Sequence, residues 1–160
     1  MSSKPLTRCE FDHANLLVKL DETLPGDVNA VSPVIQRIMA IIKKMGCAAD
    51  REFEIELALR EALANAIVHG IAQDVSKEVQ CCVACDHTRG ILIVVRDPGP
   101  GFDPASIPSP IVGQNIFAAG GRGIYLINQL VDEVCFEKGG TEIHMRMNPP
   151  VSRGGATRNR

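Results

Sequence analysis

Three short stretches carry residue types that could hold a phosphorylated ligand. In "VVRDPGPGFDP", Val94 to Pro104, the apolar run Ile91–Val95 ends in Arg96 and a lone carboxylate, Asp97. Pro98, Gly99, Pro100 and Gly101 then alternate, which is more than a simple turn requires. Gly99 and Gly101 permit backbone angles and close approaches that a side chain would block. A carboxylate at a strand end accepts a hydrogen bond from an exocyclic amine such as that of adenine. In "ELALREALANAIVHG", Glu61 and Asn65 are spaced i, i+4, so on a helix their side chains are neighbours. In "GGRG", Gly120 to Gly123, glycines lead into a helical pattern whose N-terminus would offer free N–H groups to a phosphate. The three pieces suit the parts of one nucleotide: the carboxylate for the base, the glycine turns for ribose and phosphates, the Glu–Asn pair for a metal ion and the reactive phosphate.

Each piece also has a plainer reading. Glu54, Glu61, Asn65 and His69 share a stripe of one helix, with Ala58 among them, and a stripe of this kind can be an ordinary solvated face. It departs from the usual Lys/Glu mixture, and small residues around few polar groups suit a ligand lying close to the helix. The plain reading of His69 is that it simply ends the helix, where a cation is favoured. Other signatures are missing: there is no GxxxxGK[ST] loop, no GxGxxG leading into a helix of a βαβ unit, no GxSxG and no HExxH.

The elements that must position these residues follow from periodicity. "NLLVKLDETLP", Asn15–Pro25, reads as a strand and turn. Val31, Val34, Ile35, Ile38, Ile41, Ile42 and Met45 fit a helix that Gly46 stops, with Pro33 in its first turn. A second helix opens with Asp50 as its N-cap, carries Glu52, Glu54 and Glu56 near its positive end, and stops at Gly70. Its core face is Ile55, Leu59, Ala62, Leu63, Ala66 and Ile67. Strands are expected over Val79–Asp86 and Gly90–Val95. A third helix should start near Gly121–Gly123 with Ile124, Ile127, Leu130, Val131 and Val134 facing inward. Two strands close the domain, the last alternating Ile143, Met145 and Met147 with Glu142, His144 and Arg146.

The 160 residues suit one domain, with no internal repeat. A net charge of −2 argues against a general nucleic-acid binder. No apolar run reaches the roughly eighteen residues of a membrane span, and the N-terminus lacks an apolar signal region, so a cytoplasmic protein with reduced cysteines is expected. Cys82 and Cys85 form a CxxC, half of a zinc pattern, inside "VQCCVACD", which also reads as a buried strand.

"ELALREALANAIVHG", "VVRDPGPGFDP" and "GGRGIYLINQLVDEV" resemble the N, G1 and G2 boxes of the GHKL ATPases, which have the Bergerat fold, and the chain most resembles the stand-alone bacterial anti-sigma factor serine kinases. The resemblance implies an α/β two-layer sandwich, a mixed, mostly antiparallel sheet covered on one face by helices. It implies an ATPase domain over residues 15–148, flanked by a loose segment, 1–14, and a disordered basic tail, 149–160. ATP (or ADP) and Mg²⁺ are the implied cofactors. Asn65 matches the metal-coordinating asparagine and Glu61 the acid that orients or deprotonates a serine hydroxyl. Asp97 matches the adenine-recognising aspartate, Gly99 and Gly101 the G1 glycines, and Gly121 and Gly123 the G2 glycines, with Arg122 placed to reach phosphate. The implied partner is a small anti-sigma-factor antagonist, with room for a sigma factor and a homodimer, and without nucleic acid or membrane. Between Asp103 and Arg122 there is no charged residue. Kinases usually supply a cation to the transferring phosphate, so a nucleotide-binding, partner-switching module without kinase activity is the alternative. In that uncharged segment Ile111, Val112, Ile116 and Phe117 would form a protein-contact surface, cover the nucleotide or fill the core.

Overall fold

The computed structural model describes residues 18–86, 88–101 and 121–149. The expected loose segment 1–14, the uncharged segment with Ile111, Val112, Ile116 and Phe117, and all but the first residue of the expected tail lie outside them.

Strands β1 (Val18–Pro25), β2 (Glu78–Asp86), β3 (Gly90–Arg96), β4 (Glu133–Glu137) and β5 (Glu142–Met147) form a sheet of order β1-β2-β3-β5-β4. Every pairing among them is antiparallel. Helices α1 (Val31–Met45), α2 (Glu52–Asn65) and α3 (Gly121–Leu130) supply the second layer. This is the expected two-layer α/β sandwich.

The period-2 pattern sends alternate residues to the helices. Val79, Cys81, Val83 and Cys85 of β2, Ile91, Ile93 and Val95 of β3, and Met145 and Met147 of β5 are buried in one cluster with the inner residues of α1 and α2. Ile35, Ile38, Leu59, Leu63, Ile93 and Met145 are essentially inaccessible to solvent. The other sheet face carries a small apolar cluster, Ala84, Leu92 and Val94, flanked by Cys82 and Cys135.

Helix boundaries follow local chemistry with three corrections. Gly46 closes α1 in the left-handed region at φ 69°, as expected of a C-terminal glycine. The N-cap position of α2 is Arg51 rather than Asp50, because a single 3-10 turn, Ala49–Arg51, leads into the helix. Arg51 instead ties two helices together: its guanidinium donates to Glu54 Oε2 at 3.0 Å, Asp132 Oδ2 at 2.8 Å and the Leu130 carbonyl at 3.1 Å. Second, α3 ends at Leu130, so Val134 is not on its inner side but lies in β4 opposite Met145, partly buried against the core. Third, Ala58 is fully buried, so the small-residue part of the α2 stripe packs in the core rather than facing a ligand.

The cysteine expectation is also corrected. Cys47, just past the α1 C-terminus, and Cys85, on the inner face of β2, are joined in a disulfide with Cα atoms 6.3 Å apart. Helix layer and sheet bring the two together from 38 residues apart, a proximity that sequence spacing cannot reveal. Cys82 points to the opposite face of β2 from Cys85, so the CxxC does not form a chelating pair. Burial pushes the Cys81 thiol up to about 12, with Cys82, Glu22 and Asp21 adding to it. Burial and a hydrogen bond with Asp21 raise Cys82 to about 11. Neither is a reactive thiolate near neutral pH.

Two stability measurements follow. Closing a loop of this length should contribute about 2–4 kcal/mol, so reducing the disulfide, or the pair Cys47→Ser with Cys85→Ser, lowers the denaturant-extrapolated unfolding free energy by that amount. Leu59→Ala should cost about 2–5 kcal/mol in the same assay.

Candidate functional site

β3 runs buried from Ile91 to Val95 and emerges at Arg96, which leaves the next residue, Asp97, half-buried at the sheet's end. Its backbone N–H donates to the Thr141 carbonyl at 2.9 Å, so the turn before β5 fixes the chain where it leaves the sheet. The Gly99 N–H donates to Asp97 Oδ1 at 2.8 Å. That bond sets the carboxylate's orientation and leaves it further acceptor capacity. Burial raises the Asp97 carboxyl above its ordinary range, and the Gly99 N–H only partly opposes this.

Glycines make this approach feasible. A Cβ at Gly99 would overlap the Gly70 carbonyl and lie 2.8 Å from Asp97 Oδ1. One at Gly70 would lie 2.5–2.8 Å from the Asp97 carboxylate atoms, closer than real side chains pack. Gly101, at φ 75°, is left-handed, and a Cβ there would overlap the Gly139 carbonyl. The G1 glycines therefore serve close contact with two other segments.

The helix carrying the polar stripe delivers Gly70 to this place. After Asn65 the α-helix widens into a π turn, Ala66–Gly70, closed by the Ile71 N–H donating to the Ala66 carbonyl at 3.0 Å. Ala72 and Gln73 follow at φ 51° and 57°, a left-handed pair that turns the chain away towards β2. Isolated π turns within helices are frequent at functional sites. Glu61 and Asn65 are partly buried one turn apart, and His69 is exposed inside the π turn. At about 1.5 Å of rise per residue, Asn65 stands roughly 8 Å and Glu61 roughly 14 Å along the helix from Gly70.

Gly121, Arg122 and Gly123 form the first turn of α3, which packs against α2, so the backbone N–H groups of a helix start lie on the α2 side of the sheet. The structure thus assembles Asp97, Gly99 and Gly101 with the end of the Glu61–Asn65 helix. Sequence reasoning missed Gly70, read there only as a helix stop, and Thr141. The adjacent His-Gly after the polar stripe was a usable signal for Gly70; nothing local marks Thr141.

A cavity of about 300 Å³ opens at Asp97, which lines it together with Pro98, Gln80, Arg96, Lys138, Thr141 and Glu142; Glu61 and Asn65 are not part of its lining. Among the described residues, no three His, Cys, Asp or Glu side chains converge as a metal cluster, and no helix is long and apolar enough to cross a membrane.

The sequence profile of the histidine kinase-like ATPase domain matches residues 24–147. The chain is 27% identical over 123 residues to the serine-protein kinase RsbW of Bacillus subtilis (strain 168), covering 72% of this chain and 75% of that one. It is 26% identical over 122 residues, with the same coverage, to the serine-protein kinase RsbW of Bacillus cereus (strain G9842) and of Bacillus anthracis.

Two outcomes test the site's construction. Gly70→Ala, which forces a methyl group against the Asp97 carboxylate, should keep the circular dichroism of the fold while weakening adenine-nucleotide binding at least severalfold. Because the raised Asp97 carboxyl favours its protonated form in the folded state, its stabilising contribution is complete below about pH 4 and is lost as pH rises through the raised value. Asp97→Asn should therefore have a melting temperature equal to or above wild type near pH 7, with the gap closing in acid.

Proposed function

The chain belongs to the histidine kinase-like ATPase domain family, and from that premise we propose that it is a regulatory protein serine kinase that uses ATP and Mg²⁺. One observation carries the reading: a half-buried carboxylate, oriented by the Gly99 N–H and walled by two glycines, stands at the end of the helix that bears Glu61 and Asn65. Asp97 accepts a hydrogen bond from the adenine amine. The rise from Gly70 back to Asn65 and Glu61 suits an extended nucleotide laid along α2, with its phosphates at those two side chains. The backbone N–H groups of Gly121 and Gly123 face the phosphates, with Arg122 contributing charge.

The donor set fits Mg²⁺. Asn65 and Glu61 present hard oxygens on adjacent turns, and a site with few protein ligands suits an ion shared with phosphates and waters. Asn65 would hold the ion, which would neutralise phosphate charge. Glu61 takes the proton of the attacking serine hydroxyl as its oxygen bonds to the γ-phosphorus and the bond to the β,γ-bridging oxygen breaks, releasing ADP. Serine as acceptor rests on the likeness to the serine-protein kinases RsbW. The substrate on this reading is a small anti-sigma-factor antagonist, met in the cytoplasm, with a sigma factor as second partner and a homodimer as the working form. On this reading the domain occupies residues 15–148.

A second reading has its own support. With no charged residue between Asp103 and Arg122, the chain could bind nucleotide and switch partners without transferring phosphate. Calorimetry separates binding from chemistry. Wild type should bind ATP more tightly with Mg²⁺ than without, and Asp97→Asn should weaken binding about tenfold or more, as expected for a lost charge-assisted hydrogen bond. Glu61→Ala should retain ATP binding and lose serine phosphorylation of the antagonist by about 10²-fold or more. Nucleotide binding with no phosphoserine formed by wild type would favour the switching module.

A further inference from the structure

Glu142 is a buried carboxylate on the face of the sheet away from the helices, with a side chain only 6% exposed, and the proposed chemistry does not use it. A buried charge persists only when paired. Here Arg96 Nε and Lys138 Nζ each lie 3.1 Å from Glu142 Oε2, and His144 Nε2 lies 3.1 Å from Oε1. Burial works to raise the Glu142 carboxyl, but the hydrogen bonds from His144 and Lys138 and the charge of Arg96 outweigh it and hold it below its usual range.

These partners are the two segments that meet behind Asp97. Arg96 immediately precedes Asp97 and is the register partner of Glu142. Lys138 opens the turn into β5, in which Lys138, Gly139 and Gly140 are all left-handed at φ 50°, 67° and 86°. A lysine is rarely found there, so something must hold it. Thr141 closes the turn, its N–H and Oγ1 both donating to the Lys138 carbonyl, at 3.4 and 2.9 Å. The same turn supplies the Thr141 carbonyl to the Asp97 N–H and the Gly139 carbonyl that abuts Gly101. A cavity of about 300 Å³, lined by Arg96, Asp97, Lys138, Thr141 and Glu142, lies beside this turn, and the polar bonds named here are contacts that hold the turn at its edge.

We propose that Glu142, through its ion pairs with Arg96, Lys138 and His144, is a positioning residue that fixes the Asp97 carboxylate from behind the sheet. The inference rests on the reading of Asp97 as the adenine-binding group, and the test has two arms that separate them. The first needs no nucleotide: amide hydrogen exchange by NMR on the folded protein. Glu142→Gln should speed exchange at the Asp97 and Gly99 N–H groups, while Glu22→Gln, which breaks a remote pair with Arg37, should leave both as in wild type. Unchanged exchange at Asp97 and Gly99 in Glu142→Gln overturns the proposal whatever the protein binds. The second arm is ATP calorimetry with Mg²⁺. Glu142→Gln should weaken ATP by about two- to thirtyfold, the range for residues that act without touching ligand, and should add nothing to the loss already caused by Asp97→Asn. Additive losses would mean that Glu142 acts by another route and would sink the idea. An Asp97→Asn protein that binds ATP like wild type would instead refute the adenine reading, leaving the exchange arm to decide the positioning role. Should Glu142→Gln fail to fold, Lys138→Met, at the solvent-exposed end of the same ion pair, must show both effects in smaller measure.

Discussion

The site depends on one close approach, the contact of the α2 end with the turn that follows β3. At Gly70 and Gly99 the two backbones come so near that neither position has room for a Cβ, and the Asp97 carboxylate is held in the gap. Burial in that gap makes the carboxyl harder to ionise, while a single N–H directs it. A charged group kept partly dry and already oriented costs stability in the free protein and loses little freedom when it meets a donor. Such a group is better suited to recognition than to holding the fold together.

The remainder of the structure brings the two backbones to that contact. The core formed by α1, α2 and the inner sheet face fixes the height of α2 above β3. Arg51 ties the start of α2 to the end of α3 through Asp132 and the Leu130 carbonyl. The π turn then lets the chain leave α2 at Gly70 rather than continue over the sheet. On the far side, Thr141 and the Lys138–Gly140 turn hold the exit of β3. Asp97 is thus gripped from two faces of the sheet, by elements more than sixty residues apart in the chain.

The cysteines show how far composition misleads about proximity. Six cysteines scattered along a sequence read as six independent, reduced side chains. The fold instead sets Cys47 against Cys85 inside the core and leaves Cys81 buried next to them along the same inner face, while Cys82 faces outward. A CxxC on a strand puts its two cysteines on opposite faces, whereas on a turn or helix start the same spacing brings them together. The motif's meaning is decided by the backbone that carries it.

Local pattern alone determined much of this protein. The inner residues of β2, β3 and β5, the α1 stop at Gly46, the placing of Glu61 and Asn65 on one helical face and the start of α3 at Gly121 all follow from periodicity and turn chemistry, which act over a few residues. The place of Asp97 just past the end of β3, followed by the spaced Gly99 and Gly101, is likewise legible in the local pattern. Tertiary structure alone decided that Ala58 is core, that Val134 belongs to a strand, that Cys47 meets Cys85, and that Gly70, Thr141 and Glu142 surround Asp97. In each case the cause is a contact between segments far apart in sequence, whose strength depends on burial and on backbone approach, and neither quantity exists until the layers have packed.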